Sequence, residues 1–167
     1  MGSPSRRSGQ RRWKNMTIWF REFPLNEANE RHAGSVIGHL GIELLEAGDD
    51  FLRACMPVDE RTIQPAGVLH GGASVLLAET LASWASTFVV DPAKHHCVGI
   101  EVNANHTRPV ASGHVYGTAR PVHLGRSTHV WDVRIEDEHD KLACIARVTM
   151  AVLDTPSQYM QRSRSFE

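Results

Sequence analysis

GVLHGGASVLLAETLASWASTFVV, residues 67–90, decides how the rest of the chain is read. It predicts a turn followed by a helix of about five turns, at roughly 1.5 Å per residue. His70, Gly71 and Gly72 stand at its start. From Ala73 onward the run is almost wholly apolar, with Val75, Leu76, Leu77, Leu81, Trp84, Phe88, Val89 and Val90. A helix apolar on nearly every side is expected inside a protein. Glu79 interrupts it, and the apolar run is then too short for a bilayer. It reads as the core of a soluble domain, not as a membrane span.

Glu79 stands in the middle of that helix. Ser83 and Ser86 follow at i+4 and i+7, which predicts one narrow polar stripe. An ionised carboxylate is expensive to bury without partners. Either Glu79 runs out along the helix to solvent, or it faces a pocket as a base or nucleophile. The helix start favours the second reading. Free N–H groups there, with the dipole behind them, attract developing negative charge. Gly71 and Gly72 have no side chain to block an approaching carbonyl, so this end can serve as an oxyanion hole. The same glycines would also suit tight packing of a helix end on a sheet. Glu79 lies about two turns deeper. Both groups reach one reacting centre only if a substrate lies along the helix flank.

The chain has 167 residues, 41% apolar and 22% charged, the composition of one ordinary globular domain. Its formal charge of −1 gives no reason to expect nucleic acid or an anionic membrane. Cys55, Cys97 and Cys144 are scattered, without a Cys-x-x-Cys pair. A reducing compartment, the cytoplasm, is the simplest expectation. His95-His96 lacks zinc-ligand spacing, so no metal is expected. No G-x-G-x-x-G or P-loop occurs, and no cofactor is expected. Ser74 lacks the second glycine of a G-x-S-x-G elbow, which argues against a serine hydrolase.

Residues 1–15, rich in Arg, Ser and Gly, read as a disordered leader or an added extension, with Met16 a plausible start. Residues 16–154 read as a single domain and residues 155–167 as a polar tail. A short helix is expected over residues 25–33, with Asn26 as N-cap and Gly34 as stop. Residues 36–46 and 51–58 read as a strand pair joined at Gly48-Asp49-Asp50. Four further strands are expected over residues 97–107, 113–122, 128–136 and 142–153. In the first, Val98, Ile100 and Val102 share one face. In the third, Trp131, Val133 and Ile135 oppose Val130, Asp132 and Arg134. One long helix in a strand-rich chain says α+β with an antiparallel sheet. A strongly curved sheet can wrap most of that helix, and a second subunit can cover the rest.

Gln64, His70-Gly71-Gly72-Ala73-Ser74, Glu79 and Ser83 together resemble the hotdog-fold acyl-CoA thioesterases of the 4-hydroxybenzoyl-CoA thioesterase and PaaI-like type. Gly99-Ile100-Glu101-Val102-Asn103-Ala104-Asn105-His106, Pro121-Val122-His123-Leu124-Gly125-Arg126-Ser127 and Val130-Trp131 are similar to the bacterial 1,4-dihydroxy-2-naphthoyl-CoA hydrolases of menaquinone biosynthesis. The resemblance implies a hotdog fold, a curved antiparallel sheet around one long helix. It implies that Glu79 acts as nucleophile or general base and that Gly71 N–H holds the thioester oxygen. Gln64 and His70 would orient the thioester, and Ser83 would position water. CoA contacts would come from Gly99, from His106, Thr107, Arg108 and Pro109, and from His123, Leu124, Gly125, Arg126, Ser127 and Thr128. Homodimers, paired into homotetramers, would build the site at an interface. Trp84 stands where those naphthoyl-CoA hydrolases carry a smaller residue. Directed into the acyl pocket it would reshape it; otherwise it packs in the core. Two alternatives remain at this stage: a hotdog hydratase or dehydratase, and a non-catalytic acyl-CoA-binding module.

Overall fold

The computed structural model describes residues 17–156. The expectations for residues 1–15 and for nearly all of the tail lie outside the described residues. Two helices come first, α1 (Leu25–His32) and the single turn α2 (Val36–His39). Strands β1 (Glu43–Ala47) and β2 (Leu52–Pro57) follow. Then comes the long helix α3 (Gly71–Val89), and four strands complete the order: β3 (His95–His106), β4 (His114–Leu124), β5 (Thr128–Asp137) and β6 (Leu142–Asp154). All neighbouring strands pair antiparallel, in the order β1-β2-β4-β5-β6-β3. This is the hotdog arrangement, one long helix wrapped by a six-stranded antiparallel sheet.

The helix buries Leu77, Ala78, Leu81, Ala82 and Ala85 against the sheet. The fit is close at β4, where a Cβ on Gly117 would come within 2.6 Å of Leu81 and 3.3 Å of Leu77. Trp131, Val133 and Ile135 point inward from β5, each fully buried, with Arg134 outside, as the alternation predicts. Burial of such side chains contributes about 1.5–3 kcal/mol each.

Three local expectations are corrected. Asn26 does not cap α1; the helix starts after Pro24 with no side-chain cap. The neighbouring Asn29 is the structural amide, donating to Leu44 C=O and accepting from Leu44 N–H, both at 2.9 Å, which ties α1 to β1. Residues 36–46 do not form one strand. Ser35 Oγ accepts Ile37 N–H and starts a helical turn, and Gly41 then reverses the chain at φ +69° before β1 begins. In β3 the register shifts between Gly99 and Glu101. The extra residue of this bulge breaks the shared face of Val98, Ile100 and Val102. Ile100 stands 61% exposed, while Cys97, Val102 and Ala104 pack on the core. As expected where the sheet wraps most of the helix but not all, α3 keeps an open flank: Gly72 and Glu79 are exposed, and Val75, Leu76, Ser83, Trp84 and Thr87 only partly buried.

Candidate active site

The start of α3 is held by the loop before it. Gly67 at φ +78° lets the chain double back, so that Gln64 N–H donates to Val68 C=O and Gly67 N–H to Gln64 C=O. His70 N–H donates to Thr62 C=O, and Leu69 N–H to Val110 C=O. His70 is the N-cap: its ring Nδ1 accepts Gly72 N–H at 2.8 Å. A neutral imidazole that accepts at Nδ1 carries its proton on Nε2, so the exposed edge of His70 is a donor. Gln64 Oε1 is taken by Ala66 N–H at 2.7 Å, which leaves its NH2 group to donate. Gly71 is the first helical residue, and its amide has no intrahelical acceptor. The His106 ring lies against it; a Cβ on Gly71 would come within 2.9 Å of His106 Nε2. Gly71, His106, Thr107, Arg108 and Pro109 line one cleft of about 370 Å³. The Gly71 amide and the helix dipole thus face a cleft where an oxyanion could sit.

Glu79 lies on the open flank of the helix with its carboxylate over Gly99 of β3. A Cβ on Gly99 would sit 2.7 Å from Glu79 Oε1. The missing side chain and the bulge beside it make room for the carboxylate. Ser83, one turn on, is half-buried. The polar stripe does not continue as expected. Ser86 is fully buried and turned to the sheet, where its Oγ accepts Trp131 Nε1–H at 2.7 Å and meets His129 Nδ1 at 3.2 Å. His129 was not marked by its own sequence surroundings, but inward alternation from Trp131 back by two positions points to it. Burial and the nearby His123 hold the His129 ring below the usual imidazole range.

The other expected contacts gather at the far end of α3. Leu124, Gly125 and Arg126 line a cleft of about 360 Å³ with Asp91 and His95. The His123 ring covers the Gly125 backbone, which donates its N–H to Thr128 C=O at 2.9 Å. The two expected CoA segments therefore sit at opposite ends of a 19-residue helix, about 27 Å apart. Gly71 and Glu79, eight positions apart, are separated by about 12 Å along the axis. Trp84 packs in an aromatic cluster, 5.8 Å from Phe88, 6.0 Å from Phe23 and 4.7 Å from His32 by ring centroids. It also borders a cleft of about 230 Å³ beneath Arg21 and Arg31. Among the described residues no His/Cys/Asp/Glu group has a metal-binding arrangement, and no helix is long and apolar enough to cross a membrane.

Comparison with known proteins identifies the family and the fold. Residues 66–144 match the model of the thioesterase superfamily. The crystal structure of a variant of the thioesterase PA1618 from Pseudomonas aeruginosa has a TM-score of 0.82 and 49% identity, covering 83% of this chain and all of that one. The thioesterase HI1161 from Haemophilus influenzae has a TM-score of 0.80 and 45% identity, covering 83% of this chain and 96% of that one. A 1,4-dihydroxy-2-naphthoyl-CoA hydrolase from Escherichia coli is 45% identical over 136 residues, 81% of this chain and 99% of that protein. On these likenesses and its one long helix wrapped by a six-stranded antiparallel sheet, the chain belongs to the thioesterase superfamily and is a hotdog-fold thioester hydrolase.

Proposed function

We propose that the protein hydrolyses acyl-CoA thioesters in sites shared between two chains. The observation that carries this reading is the separation of Gly71 from Glu79. One carbonyl cannot have its oxygen at the first and its carbon at the second within one chain. Two copies of α3 packed antiparallel near Val75 and Leu76, midway between them, bring each Gly71 beside Glu79 of the partner subunit. β3 is a long edge strand with Val98 and Ile100 exposed, a ready template for pairing with its own copy. Antiparallel pairing of two β3 edges also brings the Arg108 cleft of one chain to the Arg126 turn of the other. Their guanidinium forks then bracket the phosphates of one CoA. We take the dimer as the functional unit, paired into tetramers.

In this site Gly71 N–H and the helix dipole stabilise the oxyanion. Gln64 and the Nε2–H of His70 orient the thioester and assist the departing thiolate. Glu79 follows one of two routes. As general base it takes a proton from water held by Ser83, and hydroxide adds to the acyl carbon. As nucleophile it forms a mixed anhydride, which water then opens. Either way the C–S bond breaks, CoA leaves as thiolate, and the acid is released. Single turnover in H2(18)O separates the routes, because only the anhydride route leaves label in the Glu79 carboxylate. The relative named as a naphthoyl-CoA hydrolase suggests an aryl substrate and a place in menaquinone biosynthesis. The free thiols of Cys55, Cys97 and Cys144 fit the cytoplasm. A rate panel over benzoyl-, phenylacetyl-, naphthoyl- and straight-chain acyl-CoA reads the acyl pocket, and light scattering reads the assembly. Subunit mixing tests the shared site. Unfolded and co-refolded Glu79→Ala and His70→Ala chains should regain activity at about a quarter of the sites of wild type. No gain on mixing would place the two groups in one chain's site and sink the shared-site reading.

A further inference from the structure

The sealed end of α3 holds a buried polar chain that the hydrolysis above does not use. Trp131 Nε1–H can only donate, and Ser86 Oγ accepts it at 2.7 Å. Ser86 Oγ also meets His129 Nδ1 at 3.2 Å, and when the ring is neutral with its proton on Nε2 the hydroxyl proton is directed there. An imidazole accepting at Nδ1 keeps its proton on Nε2, and His129, directly after Thr128, lines one cleft with Gly125 and Arg126. The first link runs from indole to hydroxyl, and in the Nε2–H tautomer the second runs from hydroxyl to imidazole, which leaves the ring one donor to spare. Ser86 and Trp131 are fully buried and His129 is 2% exposed. A fully connected buried network of this kind rigidifies what it touches.

What it touches is the β4–β5 turn. Gly125 N–H closes that turn on Thr128 C=O, and Ser127 C=O accepts from Val152 N–H. Arg126 itself is exposed, so only its backbone can aim it. An ordered backbone lowers the entropy lost when an arginine grips phosphate.

We propose that His129, linked through Ser86 to Trp131, is a positioning residue that holds the Gly125–Arg126 turn in place for the phosphate-bearing end of a CoA thioester. This rests on the reading that gives that turn a CoA contact. The relay requires a neutral ring. A proton on Nδ1 reverses the link to Ser86, turns the hydroxyl proton away from the ring, and places a charge where burial and His123 oppose it. The groups that face the ring are Ser86 of α3, His123 of β4, Arg126 of the turn, Asp91 beyond α3, and His95 of β3, itself beside Asp154 of β6.

The experiment compares KM for one acyl group carried on CoA and on pantetheine, which lacks the nucleotide. His129→Phe and Ser86→Ala should raise KM for the CoA ester about tenfold, with kcat and the pantetheine KM held within about twofold. His129→Gln, whose amide keeps both a donor and an acceptor and cannot titrate, should recover most of the loss. As pH falls from about 7.5 to about 5.5, the CoA-to-pantetheine KM ratio should climb more steeply in wild type than in His129→Gln. Ionisation of the CoA phosphates is common to both proteins and cancels. Arg126→Ala serves as the reference. If it loses CoA selectively while His129→Phe and Ser86→Ala do not, the relay has no positioning role. If Arg126→Ala shows no such selectivity, the CoA assignment of the turn fails and the proposal fails with it. Should His129→Phe not fold, the pH comparison between wild type and His129→Gln decides alone, and parallel profiles overturn the proposal.

Discussion

The two halves of α3 share one polar stripe and put it to opposite uses. Glu79 and Ser86 are seven residues apart and nearly eclipsed on the helix wheel. Glu79 is exposed, and Ser86 is fully buried beneath β5. What differs is the cover. Over Glu79 the sheet offers Gly99, without a side chain, beside a bulge. Over Ser86 it offers Trp131 and His129, and Cys97 S–H reaches the Ser86 carbonyl at 3.5 Å. The first half of the helix keeps reactive groups within reach of a substrate. The second half satisfies its polar groups internally and anchors the fold.

That division predicts how variants separate activity from stability. The largest effect belongs to Glu79→Ala. Thiol release followed with a chromogenic reagent should show kcat lower by about 10³-fold or more, with little change in Tm because the side chain is exposed. A variant that retains more than about a tenth of the rate would remove Glu79 from the chemistry. His70→Ala comes next, with a loss in kcat of about 10²-fold from the missing Nε2–H donor. It also removes the N-cap, so the start of α3 should weaken by about 1 kcal/mol in denaturant unfolding. Rate loss without any stability loss would mean that the ring does not cap the helix in solution. Gly99→Ala is a finer probe. The added methyl would push the Glu79 carboxylate, the far end of a flexible side chain. Hence kcat should fall about tenfold while Tm holds. Equal rates would show that the carboxylate works away from β3.

The open half was far more legible in the sequence than the sealed half. Helix length, Glu79 and the paired glycines are local features, readable from spacing and the chemistry of helix ends, whereas the role of His70 comes only from the family resemblance. The element order from β1 to β6 was likewise visible in alternation and turn residues. The bulge at Gly99 was not, because one inserted residue reverses every face after it while the composition stays the same. Ser86 was assigned the direction of Glu79 because helical periodicity fixes the face and says nothing of how far the sheet extends over it. The turn at Val36–His39 was hidden because Ile37 and Leu40 suit a strand as well as a helix; only the Ser35 cap and the left-handed Gly41 decide.

The smallest predicted effect concerns the sealed half and its N-terminal cover. His32, the last residue of α1, is 5% exposed and stands edge-on to Trp84 at 4.7 Å. Neither ring nitrogen has a hydrogen-bond partner among the described residues. Burial holds its pKa below the ordinary 6.5. A group depressed in the folded state contributes stability above the unfolded value and loses it as pH falls through the folded one. Wild-type Tm should therefore decline as pH drops from about 7 to about 5, partly on account of this ring. His32→Leu is close in volume and has no charge to desolvate, so it should retain Tm better by a few degrees over that interval. At neutral pH its kcat should match wild type, since the ring faces Trp84 and not the Glu79 flank. Parallel decline of the two proteins on acidification would assign the acid sensitivity to other groups. A drop in kcat at neutral pH would instead mean that the Trp84 cluster shapes the acyl pocket, erasing the boundary drawn between the two halves of the helix.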